Sequence, residues 1–131
     1  MKKRSSYEGL QENIRERKFP VIEVWENKYA DKKYTVKFDT DEFTCICPKT
    51  GLPDFARIYI EYSPRVYCVE LKSFKEYLMS YRTIGVFHEH VVNRILDDLV
   101  KSCKPRWIKI QGVFNTRGGI TTTVETRFDG K

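Results

Sequence analysis

The run Tyr34-Thr-Val36-Lys-Phe38-Asp-Thr-Asp-Glu-Phe43-Thr-Cys45-Ile-Cys47-Pro48-Lys-Thr-Gly51-Leu-Pro53-Asp54-Phe-Ala56-Arg-Ile58-Tyr-Ile60-Glu-Tyr62 decides how this chain folds. Tyr34, Val36 and Phe38 alternate with Thr35, Lys37 and Asp39, the two-residue period of a half-buried strand. Phe43, Cys45 and Cys47 continue the apolar side. Pro48-Lys-Thr-Gly51 is a turn signal. Ala56, Ile58, Ile60 and Tyr62 then repeat the alternation in a second strand from Asp54 to Tyr62, which Ser63-Pro64-Arg65 ends. The hairpin sets a thiol at the end of one extended segment and a carboxylate at the start of the next.

Helical periods follow. Ser73-Phe-Lys-Glu76 has the spacing of a capping box, with Ser73 accepting from a free amide and Glu76 reaching back. Phe74, Tyr77, Leu78 and Tyr81 make an apolar stripe at i, i+3, i+4 and i+7, and Gly85 breaks it. Val92, Ile95, Leu96, Leu99 and Cys103 predict a longer helix from about His88 to Cys103, stopped by Pro105. Trp107 to Phe114 and Ile120 to Phe128 are β-rich runs joined by Asn115-Thr-Arg-Gly-Gly119, a hairpin signal. The order β-β-α-α-β-β predicts an α+β fold, an antiparallel four-stranded sheet with two helices on one face. Such a sheet has edges that need cover, and closing several sheets into a ring supplies it. Residues 1–33 are polar and weakly periodic and read as an N-terminal arm, with the regular domain spanning 34–131.

The 131 residues suit one domain rather than two, and 40% apolar content supports a core. No apolar run approaches the roughly 18 residues of a membrane span. Met1-Lys-Lys-Arg-Ser-Ser is basic, but no apolar segment follows it as in a secretory signal. The expectation is a soluble cytoplasmic protein. A net charge of +6 favours anionic partners such as a phosphate ester, a phosphorylated cofactor or a nucleic acid. The basic residues are interspersed with acidic ones, so no continuous nucleic-acid surface is indicated. Without a secretory signal, Cys45, Cys47, Cys68 and Cys103 are expected as reduced thiols.

Cys47 leads the candidates for chemistry, against the alternative that it is a small core residue. It stands seven positions from Asp54, too far in an extended chain, and the Pro48–Pro53 turn folds the two back into reach. Lys49 and the turn amides would lower the thiol pKa. Asp54, after proline, also suits a strand cap. His88-Glu89 opens the long helix, where Glu89 has a sufficient structural role against the macrodipole and the pair could equally grip a polar heterocycle. Cys45, Cys47 and His90 leave a zinc site conceivable, at spacings that match no closed structural site. Glu70-Leu-Lys72-Ser73-Phe-Lys75 places a carboxylate and two lysines around a helix N-terminus, favourable for phosphate or simply a solvated turn. Arg117-Gly118-Gly119 is a hairpin tip or a phosphate-binding loop. No G-x-G-x-x-G follows a strand, so a nucleotide would not sit in a Rossmann domain.

Cys47-Pro-Lys-Thr-Gly-Leu-Pro-Asp54-Phe, Glu70-Leu-Lys-Ser-Phe-Lys75, Phe87-His88-Glu89 and Arg117-Gly-Gly119 together resemble one family. It is the NADPH-dependent 7-cyano-7-deazaguanine reductases of queuosine biosynthesis (QueF), in their short single-domain form. The resemblance covers about Tyr34 to Ile120. It implies the tunnelling fold and a covalent thioimide between Cys47 and the substrate nitrile, with Asp54 as proton donor and two hydride transfers from NADPH. It implies that Glu70, Glu89 and His88, with main chain of Val69 and Leu71, recognise the deazaguanine. Lys72, Ser73, Lys75, Arg117 and Gly118 would hold NADPH, chiefly its phosphates, and no metal is required. It also implies a homo-oligomer, a stacked-ring decamer, with each site between chains, a small-molecule substrate and no direct nucleic-acid partner. Glu76 departs from the family motif, which has an aromatic or aliphatic residue there.

Three other readings compete. A thioimide-forming amidinotransferase acting on nitrile-modified tRNA would need no nicotinamide, and the intact Glu-Leu-Lys-Ser-Phe-Lys run argues against it. A metal-dependent pterin-forming cyclohydrolase shares the implied fold. A non-catalytic tRNA-binding module would bind in a steeply salt-dependent way and would be indifferent to Cys47.

Overall fold

β2 (Val36–Ile46) and β3 (Pro53–Ser63) pair antiparallel, and their register sets out the rest of the molecule. Phe38 faces Ile60 and Thr40 faces Ile58, yet Phe43 faces Ala56, so β2 carries one extra residue between Thr40 and Phe43. This bulge accounts for a change of parity in the sequence. Inward residues are even-numbered at Val36 and Phe38 and odd-numbered at Phe43 and Cys45, and an unbulged strand would turn one set to water. The computed structural model describes residues 13–130. Residues 1–12 of the expected arm, and Lys131, lie outside the described residues.

β5 (Trp107–Arg117) pairs with β3, and β6 (Ile120–Asp129) pairs with β5, giving an antiparallel sheet in the order β2-β3-β5-β6. The β5–β6 turn rests on Gly118 and Gly119, at φ 57° and 78°. Two successive positive φ values are the demand of a primed hairpin turn. Ala56, Ile58, Ile60, Tyr62, Ile108, Ile110 and Phe114 form the inner face. α2 (His88–Cys103) lays Val91, Val92, Ile95, Leu96, Leu99 and Cys103 against it. The helix ends where Lys104 turns left-handed, at φ 45°, just before Pro105. The expected α+β order and the limits of this helix are both found. Among the described residues no helix is long and apolar enough to cross a membrane.

α1 (Leu71–Met79) runs into a 3-10 turn, Ser80–Thr83. Its start corrects the expected capping box. The cap is Glu70, whose carboxylate accepts from the amides of Lys72 at 2.6 Å and Ser73 at 2.9 Å. Ser73 lies buried inside the first turn, where its hydroxyl donates to the Glu70 carbonyl at 2.9 Å and accepts from the Glu23 amide at 2.8 Å. With Ser73 held there, Glu76 has no cap to close and stays exposed.

A small element absent from the expectation flanks this helix. β1 (Val24–Glu26) pairs antiparallel with β4 (Tyr67–Val69). The segment before β1 buries Ile14 and Ile22, and Phe19 stacks on Tyr81 with ring centroids 4.4 Å apart. Arg94 of α2 lies over Phe19 at 4.8 Å and pairs with Asp98 at 2.8 Å, while Asp98 accepts from the Tyr77 hydroxyl. Part of the chain read as an arm is therefore packed against the helical layer.

Gly112 lets α2 approach the sheet closely. A Cβ there would lie 2.8 Å from Val92 Cγ2 and 3.2 Å from Phe114 Cε2. Gly112→Ala is expected to destabilise the protein by about 1–3 kcal/mol, the usual cost of overpacking a filled core, as measured by urea unfolding.

Candidate active site

The inward stripe of β3 reads Tyr62, Ile60, Ile58, Ala56 and then Asp54. Its fifth member is a carboxylate because the core ends there. Asp54 is half-buried and faces Cys45 across the β2–β3 pair. Beyond Ile46, paired with Pro53, the chain closes a tight loop: the Cys47 amide donates to Leu52 O at 2.9 Å and the Gly51 amide to Cys47 O at 3.0 Å. Gly51 meets that turn with a φ of 71°. Cys47 thus stands just past the strand, near enough to Asp54 for the carboxylate charge to act on its sulfur.

The two neighbouring thiols are in opposite states. Burial first, then the charges of Asp54 and Cys47, push Cys45 up to about 12, so it remains protonated. For Cys47, partial burial pushes upward and the nearby Asp54 charge adds to it. Hydrogen bonds from the Thr50 hydroxyl, the Thr50 amide and the Lys49 amide outweigh both and hold the thiol below its ordinary value. Of the two, Cys47 is the more readily ionised.

His88 reaches Asp54 from the first residue of α2. Its Nε2 lies 3.1 Å from Asp54 Oδ2, and its ring stacks on Phe114 at 3.7 Å and 10°. The segment that delivers it is tied to the cysteine strand: Ile46 N donates to Ile84 O at 2.9 Å and Val86 N to Ile46 O at 3.1 Å. Glu89, one residue on, is exposed beside it. Arg117 bends back from the β5–β6 hairpin and donates to Pro53 O at 3.0 Å, adjacent to Asp54. Gly118 sits exposed at the hairpin tip. Cys47, Asp54, His88, Glu89 and Arg117 are therefore gathered at one end of the sheet. Among the described residues no three His, Cys, Asp or Glu side chains converge as metal ligands would.

Val69, Glu70, Leu71, Lys72 and Ser73 lie elsewhere. The Val69 amide donates to the Tyr62 hydroxyl at 2.9 Å, and Tyr62 is near the far end of β3 from Asp54. At about 3.3 Å per residue the two ends are roughly 25 Å apart. Ser73 does not offer its hydroxyl to a ligand, because it is buried and engaged with Glu23 and Glu70. Two of the helix amides expected to attract phosphate are likewise occupied by the Glu70 carboxylate, which they hold below the usual carboxylate range. Glu70 itself, Leu71 and Lys72 remain accessible. Lys75, a turn further along α1, faces a cavity of about 250 Å³ together with Thr40, Glu42, Thr44 and Arg82.

Thr50, Phe114 and Arg82 escaped the sequence reading. Thr50 had a signal, its place in the Pro48–Gly51 turn beside the thiol. The other two are visible only once the sheet and the 3-10 turn are built.

A family model described as QueF-like protein matches residues 53–131. The NADPH-dependent 7-cyano-7-deazaguanine reductase of Halorhodospira halophila is 51% identical over 111 residues, 85% of this chain and 94% of that protein. Its counterpart from Chlorobaculum tepidum is 49% identical over 108 residues, 82% of this chain and 92% of that protein. Among solved structures, the apo archaeosine synthase QueF-Like superposes with a TM-score of 0.68 at 23% identity, covering 74% of this chain and 95% of that one, a likeness of fold. With about half of its residues shared with such relatives over most of its length, the chain belongs to the QueF-like family.

Proposed function

We propose that this chain reduces the nitrile of 7-cyano-7-deazaguanine to the aminomethyl group of 7-aminomethyl-7-deazaguanine, with NADPH as reductant, in cytoplasmic tRNA queuosine biosynthesis. One observation carries the reading. A cysteine held below the ordinary thiol pKa lies beside an aspartate that is hydrogen-bonded to a histidine ring nitrogen.

The chemistry follows from those groups. A nitrile accepts hydride poorly, and addition of a thiol converts it to an activated C=N bond. Cys47 Sγ forms a bond to the nitrile carbon, one π pair moves to nitrogen, and Asp54 delivers the proton that nitrogen takes up. The product is a covalent thioimide. When bound, NADPH supplies the hydride for each of two reductions. Between them the C–S bond breaks and Cys47 departs as thiolate, helped by the same Thr50 and Lys49 hydrogen bonds that lower its pKa. His88, held flat against Phe114, keeps the Asp54 carboxyl in place and returns a proton to it. Lys75 faces a cavity with cationic and hydroxyl lining, the chemistry a phosphate needs, and Lys72, Arg117 and Gly118 would complete the hold on the cofactor. Ser73 supports this set from within the helix.

Glu89 and His88 recognise the deazaguanine from the Cys47 side, and Glu70 with main chain of Val69 and Leu71 from the other. Since roughly 25 Å of strand separates these groups within a chain, the second set comes from a neighbouring copy. The chain accordingly works as a homo-oligomer with sites between subunits, in stacked rings amounting to a decamer. The edge strands β2 and β6 supply the surfaces for ring closure.

Purified protein mixed with 7-cyano-7-deazaguanine is expected to consume NADPH, followed by loss of reduced-nicotinamide absorbance. Cys47→Ala should be inactive, and Asp54→Asn should be slower by about 10²–10⁴-fold. Mixing Cys47→Ala with Glu70→Gln subunits should restore part of the activity that each lacks alone. A mixture that exchanges subunits yet stays silent would overturn the shared site.

Cys45, Cys68 and Cys103 are buried, so iodoacetamide reports chiefly on Cys47. Its alkylation rate should rise with pH through a midpoint below that of an ordinary thiol. Thr50→Val, which removes a donor to the thiolate, should move the midpoint up. Asp54→Asn, which removes an opposing negative charge, should move it down.

A further inference from the structure

The cavity between β2 and the end of α1 contains a cation that no motif singles out. Its lining is Thr40, Glu42, Phe43 and Thr44 of β2, Lys75, Leu78 and Met79 of α1, and Arg82 of the 3-10 turn. Lys75 and Arg82 are both exposed, and neither makes an ion pair among the described residues. With Glu42 as the acidic residue in the lining, the cavity keeps a net positive charge.

We infer that Arg82, with Lys75, binds the 2′-phosphate of NADPH and so sets the preference for NADPH over NADH. The inference rests on the cofactor reading given above. Volume selects the group: about 250 Å³ is below the roughly 300–1,000 Å³ of pockets that enclose a whole drug-sized ligand, so this one takes an end rather than a dinucleotide. The charged end group that distinguishes NADPH is its 2′-phosphate, a monoester dianion with three acceptor oxygens. A guanidinium fork matches two of those oxygens, and a lysine adds a point charge. Position agrees as well. Thr44 and Thr40 precede Cys47 on the same chain segment, so the cavity lies roughly 10–20 Å of strand from the nucleophile. That span separates the two ends of an extended dinucleotide better than it separates neighbouring groups. The pyrophosphate, which continues in both directions, suits the open surface near Arg117 rather than an end pocket.

The test is equilibrium binding, read from the fluorescence of the reduced nicotinamide, for NADPH and NADH side by side. Arg82→Ala should raise the Kd for NADPH on the order of tenfold or more, as loss of a charge-assisted pair does, and change the Kd for NADH by less than about twofold. Arg82→Lys should retain part of the NADPH preference. Thermal unfolding of each variant checks that the 3-10 turn survives. Equal weakening of both nucleotides, or no change in either, would overturn the assignment while leaving the cofactor reading standing. A wild-type protein that binds neither nucleotide would overturn both.

Discussion

The site exists because the inner face of the sheet outruns the helix that covers it. Along β3 the alternation fills the core with Tyr62, Ile60, Ile58 and Ala56, and its next member, Asp54, emerges at the edge of α2. The same geometry lifts Phe114 of β5 to the surface of the core, where the first side chain of α2, His88, lies flat on it. Tertiary packing thus supplies the orientation of the Asp54–His88 pair, and loops contribute little. A shift of one residue in β3 would turn Asp54 to the outer face and leave the histidine without its carboxylate. The bulge between Thr40 and Phe43 belongs to the same constraint, since it keeps Cys45, and with it the approach to Cys47, in phase with β3.

Two cysteines separated by one residue show how steeply the environment changes at that end of the sheet. Cys45 is inside, with no access to water and a neighbouring carboxylate, and both effects keep it protonated. Cys47 is one strand period further out, where the tight loop turns amides and a threonine hydroxyl toward sulfur. Asp54 disfavours the thiolate while donors on the other side favour it. The thiol's ionisation is therefore set by a balance of burial and one carboxylate charge against three hydrogen-bond donors.

Much of this was legible in the sequence. Strand periods at Tyr34–Phe38 and Ala56–Tyr62, the stop at Pro105 and the two glycines after Arg117 located most elements, because each is a local signal with a local cause. Cys47 and Asp54 were legible as a pair because a short turn joins them. What escaped depended on distant partners. β1 and β4 are three residues each, too short for a period, and they form because they meet across more than forty positions of chain. Ser73 and Glu76 matched a capping box, but burial of Ser73 against Glu23 gave the cap to Glu70. Arg82 belongs to no motif in the sequence. Its significance comes from the β2 residues that face it.

α1 links these observations, because its two ends serve different places. Its first turn, with Glu70 and Lys72, stands beside the β1–β4 ribbon at the far end of β3, while its last turn and Arg82 stand over β2 on the way to Cys47. Nine residues at 1.5 Å each make a rod of roughly 13 Å, which sets its first and last turns at different places along the sheet. On the proposed reading each subunit therefore contributes to two pockets, its own through Cys47, Asp54, His88 and Arg82, and a neighbour's through Glu70. The fixed packing of α1, held by Phe74 and Tyr77 in the core and by Phe19 across Tyr81, then keeps the two contributions in constant relation. On that reading a monomer with every residue correctly folded would possess the Cys47 thiol and lack half of the base-recognition edge, which would make assembly a condition of substrate selection rather than of thiol chemistry.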